Sequence, residues 1–208
     1  MRKVVGVACL ILGVVCILIS AGFVVYNRYE ADRGEEASHA LLQDVQTNMK
    51  IVEQQEISPE ETVSHNVHKP VPSQMRTVTV GAYESIGVLM IPVLELELPV
   101  LTDWSYEKLK SAPCHYYGSC YETDFVIAAH NYPSHFGRLS QLQAGDLVIF
   151  TDVTGEIHCY EVFLLETLAA TATEEMISSG FDLSLYTCTP GGTNRVTVRC
   201  NISSGKTE

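Results

Sequence analysis

Hydrophobic positions along the chain fall into successive patterns, and each predicts a different element. Residues 4–26 are a run of 23 positions without a charge. As a helix rising 1.5 Å per residue, this run spans about 35 Å and can cross a bilayer. From Glu35 to Gln55 the apolar residues Ala37, Leu41, Val45, Met49 and Val52 recur every three or four positions, the period of an amphipathic helix. Residues 57–80 hold no sustained period and contain Pro70 and Pro72, which predicts an extended linker. His65 and His68 within it read as a solvated pair rather than metal ligands.

Beyond Ala82 the pattern changes to short apolar or alternating runs at residues 86–91, 94–98, 125–129, 147–151, 157–165, 183–188 and 195–199. Pro92, Pro99, Gly118, Gly155 and the Pro190-Gly191-Gly192 turn punctuate them. A short helix is expected at 104–110 with Ser105 as its N-cap, and one helical turn at 137–142. Residues 168–180, rich in Ala, Thr and Glu, read as helix or loop rather than strand. Short strands without long intervening helices predict a mainly β domain, a closed barrel of about seven to eight strands with short helices. The expected organisation is an anchor at 1–29, a stalk helix and linker at 30–81, and the barrel at 82–208.

Charge and flanking residues then orient the first segment. Arg2 and Lys3 precede the apolar run, whereas Arg28 and Arg33 beyond it are offset by Glu30 and Asp32, so the N-terminus is expected in the cytoplasm and the barrel outside. A cleaved leader is the alternative, but the run exceeds the 7–15 residues such leaders use, which favours an uncleaved single-pass anchor. All 25 acidic residues but only 10 of the 13 Lys and Arg lie beyond residue 29, a formal charge of −15 there. That sign argues against nucleic acid as a partner.

Seven cysteines without a CxxC pair make neither a disulfide framework nor a zinc ribbon. Cys9 and Cys16 lie in the apolar run. Pairings of Cys114 with Cys120 and of Cys159 with Cys200 are open, with reduced thiols favoured, and a zinc site from Cys114, Cys120 and His115 has poor spacing. Cys188 differs by position: it ends an alternating run just before a turn. A thiol becomes a nucleophile as thiolate, and an ordinary cysteine is mostly protonated at neutral pH, so a neighbouring imidazole is needed.

His130 ends the small-residue strand 125–129 as Cys188 ends its own, so two strand ends can face each other at one rim. His115 and His135 are nearby rivals, read as a structural or groove residue and a loop residue. Arg195 opens the returning strand and offers a permanent charge for a developing oxyanion. Arg199 shares its face but lies about 13 Å further along at 3.3 Å per residue. It is therefore the weaker candidate, read as a barrel-surface charge or secondary groove contact.

The strings Leu183-Ser184-Leu185-Tyr186-Thr187-Cys188, Arg195-Val196-Thr197-Val198-Arg199 and Ala128-Ala129-His130-Asn131 resemble the signature of the sortases. These are membrane-anchored cysteine transpeptidases of Gram-positive cell surfaces. The resemblance covers roughly residues 85–200 and includes Ile86 to Pro92, Ala112 to Tyr116 and Phe136 to Leu139. Ala129 stands where many relatives have Gly before the histidine, and Leu-Ser at 183–184 replaces the commoner Thr-Leu.

The resemblance implies a barrel enzyme in which Cys188 attacks an LPxTG-like sorting signal and carries the thioacyl group. His130 would serve as acid and base and Arg195 as oxyanion donor. Leu185, Thr187 and Asn131 would contact substrate, with Leu185 and Thr187 shaping the groove floor, and residues 168–180 would form a substrate-selecting loop. The implied partners are surface proteins or pilins bearing a sorting signal, with a peptidoglycan precursor amine or a pilin lysine as acceptor. No cofactor and no metal are implied. A non-catalytic, membrane-tethered β-barrel binding module is the competing reading. A papain-like protease is disfavoured because its Cys-Gly-Ser-Cys-Trp signature is missing.

Overall fold

The computed structural model describes residues 2–56 and 75–203. The expected linker with His65 and His68 lies outside them, apart from its end at 75–80. One helix, α1 (Arg2–Glu56), runs through both N-terminal segments without a break at residue 29. No proline interrupts its hydrogen-bond ladder, so the apolar and amphipathic patterns share one axis. Side chains 9–29 are exposed, and among the described residues this is the one helix long and apolar enough to cross a membrane.

The second half of α1 behaves as its period predicts. Gly34, Ser38, Leu41, Leu42 and Val45 form a buried stripe, and the three apolar members pack against Val80, Val88, Leu101 and Leu109 in a second core cluster. Burial of each such side chain contributes about 1.5–3 kcal/mol. Gln46 Nε2 donates to Glu97 at 2.8 Å and Asn48 Nδ2 to the Thr79 carbonyl at 2.8 Å, fixing the helix on the barrel wall.

The barrel comprises β1 (Val78–Val80), β2 (Tyr83–Ile91), β3 (Leu96–Leu101), β4 (Cys114–Tyr117), β5 (Phe125–Ala128), β6 (Leu147–Asp152), β7 (Ile157–Ala169), β8 (Leu183–Cys188) and β9 (Asn194–Ile202). Eight strands close in the order β2-β3-β4-β5-β8-β9-β7-β6 and back to β2, with β1 added beside the start of β2. The expected barrel start at residue 82 therefore falls inside the β1–β2 turn. Most neighbours are antiparallel, but β3 and β4, and β5 and β8, run parallel. The interior is filled from alternating positions, among them Leu89, Phe125, Ile127, Phe150, Leu183, Leu185 and Val198.

Several boundaries differ from the sequence pattern. Residues 92–94 form a 3₁₀ turn ended by Glu95 in the left-handed region (φ 51°). The strand then runs through Pro99 instead of stopping there. Proline is tolerated because β3 meets β4 only at Leu101, so Pro99 has no ladder partner on that side. The strand β7 extends to Ala169, into the segment read as helix or loop, and the short helix α3 (Thr173–Ile177) takes up part of the rest. The helix α2 (Tyr106–Leu109) forms as expected, with Ser105 Oγ accepting from the Lys108 amide. Gly87 marks where β2 passes close to β6: a Cβ there would lie 2.2 Å from the Thr151 carbonyl oxygen, so only glycine fits.

Candidate active site

Three neighbouring strands bring the sequence-selected residues together. Parallel pairing sets Phe125 beside Leu183 and Ala128 beside Tyr186. The Ala129 amide, donating to the Tyr186 carbonyl at 3.1 Å, extends this register one residue past β5, and His130, the next residue, lines the same cavity as Cys188. On the other side of β8, Cys188 is the cross-strand partner of Arg195. The Thr189 amide donates to the Asn194 carbonyl at 3.0 Å. That bond makes Cys188 and Arg195 a non-hydrogen-bonded pair, the kind whose side chains lie closer. The order across the sheet is thus His130, Cys188, Arg195, all lining one cavity of about 230 Å³.

The same parity that exposes Cys188 exposes Tyr186, which lines the cavity too. Its ring meets Tyr116 edge-on at 5.4 Å, and Tyr116 lies 5.7 Å from Trp104. This aromatic wall faces a floor of Ala128 and Ala129 and a rim of Ala169, Ala170, Ala172, Thr173 and Met176. Sequence reasoning missed Tyr186, Tyr116 and Trp104 as site residues. Only Tyr186 carried a local signal, its spacing of two from Cys188.

The residues expected to shape the groove floor are placed differently. Leu185 is sealed in the barrel core, and Thr187 is buried, because both point to the opposite face from Cys188. Thr187 Oγ1 instead donates to the Ala129 carbonyl at 2.8 Å and ties β8 to the residue before His130. Asn131 is exposed and lies outside the Cys188 cavity. It borders a second cavity of about 870 Å³ between the His130 loop and α1, and His130 lines both.

Burial pushes the His130 imidazole below its ordinary value, and the Lys110 ammonium adds to the shift, so the ring is neutral at pH 7. Tyr132 lies between His130 and His135, with ring centroids at 4.9 Å and 5.4 Å. His135, read from sequence as a loop residue, is fully buried, and among the described residues neither ring nitrogen has a partner at full hydrogen-bond geometry, the Gly34 backbone acting on it only weakly. Burial first, and then the nearby His130, lower it to about 4, with the Gly34 backbone acting weakly in the opposite sense. The helix α1 comes close here: a Cβ on Gly34 would lie 2.7 Å from the Lys110 carbonyl oxygen and 3.0 Å from the Tyr132 ring. Arg195 Nη1 donates to the Gly192 and Asn194 carbonyls at 2.9 and 3.1 Å, which holds its side chain against the β8–β9 turn.

Other candidate chemistry separates from the site. All seven cysteines are free. Burial raises the Cys114, Cys120 and Cys200 thiols to about 12, which makes them inert. Cys114 and Cys120 sit in different core clusters, and His115 Nε2 is within 2.8 Å of the Gly118 carbonyl oxygen, so they form no zinc site. Asp152, Glu156 and His158 cluster within 4.8 Å. The Asp152 carboxylate is already engaged by the Thr154 amide and hydroxyl, the Glu156 amide and Tyr121. It closes the β6–β7 turn.

A family model for the sortase domain matches residues 89–203, more than half of the chain. The chain belongs to the sortase family. Solved sortases share its fold. The C1 enzyme of Streptococcus suis is 29% identical over 59% of this chain and 74% of its own, with a TM-score of 0.51. The D5 transpeptidase of Clostridium perfringens is 20% identical over 58% and 79%, TM-score 0.51. Sortase A of Corynebacterium diphtheriae is 17% identical over 86% and 94%, TM-score 0.55. No curated protein sequence matches the chain. As a sortase it is a cysteine transpeptidase in general terms, and its relatives belong to several sortase classes.

Proposed function

We propose that this sortase cleaves an LPxTG-like sorting signal and transfers the acyl fragment to an amine. The observation that carries the reading is the row of His130 just past the end of β5, Cys188 on β8 and Arg195 on β9 around one cavity. The Cys188 thiol gives its proton to the neutral His130 ring and the resulting thiolate attacks the scissile carbonyl. Arg195 stabilises the negative charge that develops on the carbonyl oxygen. Collapse of the tetrahedral species breaks the C–N bond, and His130 returns its proton to the leaving amine. An incoming amine, deprotonated by His130, then attacks the thioacyl carbonyl, forms the new amide and releases Cys188. The acceptor is a peptidoglycan precursor amine or a pilin lysine, and the donor a surface protein or pilin with a C-terminal sorting signal.

The exposed apolar half of α1 supports the reading of a single-pass anchor, and the basic Arg2-Lys3 start supports a cytoplasmic N-terminus with the barrel outside. The deciding experiment incubates the full-length protein in detergent micelles with sorting peptides varied at each position, plus an amine. A thioacyl adduct on Cys188, absent in Cys188→Ala, is the expected result. No adduct with any peptide of the panel would instead leave a membrane-tethered binding module.

A further inference from the structure

Arg199, the second arginine of the returning strand, is 2% exposed and belongs to the interior of the molecule rather than its surface. Its Nε donates to the Glu166 carboxylate at 2.7 Å. Nη2 donates to the Glu175 carbonyl at 2.6 Å. Nη1 donates to Ser184 Oγ at 2.7 Å and reaches the Met176 carbonyl at 3.4 Å. The guanidinium also lies 5.8 Å from the Phe181 ring centroid. Three strands and one helix therefore meet on a single planar group: β7 through Glu166, β8 through Ser184, β9 through Arg199 itself, and α3 through two carbonyls.

Those two carbonyls are the informative partners. Glu175 and Met176 lie in the last turn of α3, where helix carbonyls have no partner within the helix. A helix of five residues has too little internal hydrogen bonding to persist alone, so what it is docked to sets its position. Met176 and Thr173 of this helix, with the alanines just before it, form one wall of the Cys188 cavity. Cavity width on that side thus follows from where Arg199 holds α3.

We infer that Arg199 is a positioning residue that clamps α3 to the barrel and thereby sets how tightly the cavity grips an aliphatic side chain of the donor peptide. The inference rests on the transpeptidase reading and extends it to substrate selection. A guanidinium is suited to the task because its fixed fork meets a carboxylate, a hydroxyl and two carbonyls in different directions at once. An ammonium on a flexible stem keeps the charge but not that geometry.

The test uses full-length protein and the substitution Arg199→Lys. The expected result is a KM for sorting peptide raised about tenfold with kcat changed less than about threefold, while iodoacetamide, too small to need the α3 wall, alkylates Cys188 at the unaltered rate. Glu166→Gln, which retains an acceptor for Nε, should shift KM the same way by a smaller factor. A fall in kcat at constant KM, or no change in either, overturns the inference. If Arg199→Lys does not fold, Ser184→Ala removes one partner only; a KM-only rise supports the clamp and an unchanged KM overturns it. If wild-type protein forms no thioacyl adduct, the transpeptidase reading fails by itself. The clamp is then read from Trp104, the single tryptophan, which lines the same cavity. Acrylamide quenching of Trp104 that rises in Arg199→Lys supports a moved wall, and unchanged quenching overturns it.

Discussion

The two sides of the cavity are built in different ways. Cys188 and Arg195 sit on one hairpin, seven residues apart, and the β8–β9 ladder alone sets their relation. His130 comes from a strand 58 residues earlier, and the loop after it leans on Tyr132, on the buried His135 and on α1 at Gly34. One side is a local device of the sheet. The other depends on a long-range junction that includes the helix leading to the apolar N-terminal segment. The pairing of Cys188 with Arg195 is therefore expected to survive damage to α1, whereas proton transfer through His130 is not.

The largest effects break the row itself. Cys188→Ala is expected to abolish peptide transfer, since among the described residues no other thiol lines the cavity. His130→Ala should lower kcat/KM by about 10²–10⁴, the range for losing a positioned acid–base group. Arg195→Lys should cost about 10²–10³, as for an oxyanion donor. Single-turnover acylation with a sorting peptide measures all three. If His130→Ala acylates at the unaltered rate, the imidazole does not take the thiol proton.

The next effect concerns only the His130 side. His135 is neutral when folded, with a pKa of about 4 against an ordinary 6.5. Between those values the unfolded chain binds more protons than the native one, so stability rises with pH across this window and is lost as pH falls through it. The full difference is about 3 kcal/mol at 1.36 kcal/mol per unit. Replacing His135 with Phe, similar in shape and without the unpartnered nitrogens, should remove most of that pH dependence without destabilising the protein at pH 7. Urea melts at pH 4 and pH 7 check it; an equally steep loss in the variant would assign the acid sensitivity elsewhere.

Sequence reading reached furthest where the relevant relation is local. Strand alternation and the turn between the two runs put Cys188 and Arg195 on one rim, and the ladder pairs them, because pairing across a short turn leaves few choices. It also singled out His130, since a strand end is a local feature, but it could not see that β5 and β8 are parallel neighbours. That adjacency is a property of the barrel closure. Leu185 and Thr187 fall within the family signature yet face the core, so their motif membership reflects packing rather than substrate contact. Arg199 looked like a surface charge because nothing in its neighbourhood on β9 names Glu166 or α3. The tight contact at Gly34 was equally hidden, a lone glycine in a helical pattern whose partners, Lys110 and Tyr132, lie far along the chain.

Gly34 tests the long-range side directly. A leucine there would place its Cβ against the Lys110 carbonyl oxygen, which is backbone and cannot swing aside. Overpacking of this kind costs about 1–3 kcal/mol. The helix should pull away from the barrel locally and release Tyr132, with transfer activity falling about tenfold through His130. Cys188 alkylation by iodoacetamide, which needs only the thiolate, should fall less than transfer, because the ladder that holds Cys188 beside Arg195 is untouched. Equal losses in both assays would mean that the two sides are not independent.

The smallest expected effect comes from a side-chain bond that joins them. Thr187 lies on the hairpin side, yet its hydroxyl donates to the carbonyl of Ala129, the residue before His130. Thr187→Val keeps the shape and removes the donor, which should cost about 1 kcal/mol, a typical net value for a buried hydrogen bond. Transfer activity should drop a few-fold, since Ala129 and with it the start of the His130 loop lose one of their two ties to β8, the amide bond to Tyr186 remaining. Thr187→Ser separates the causes: it restores the donor and loses only the buried methyl. If the hydrogen bond positions His130, the serine variant recovers activity while remaining slightly less stable than wild type. If activity follows stability in both variants, Thr187 acts through packing alone, and the hairpin does not share in placing the base.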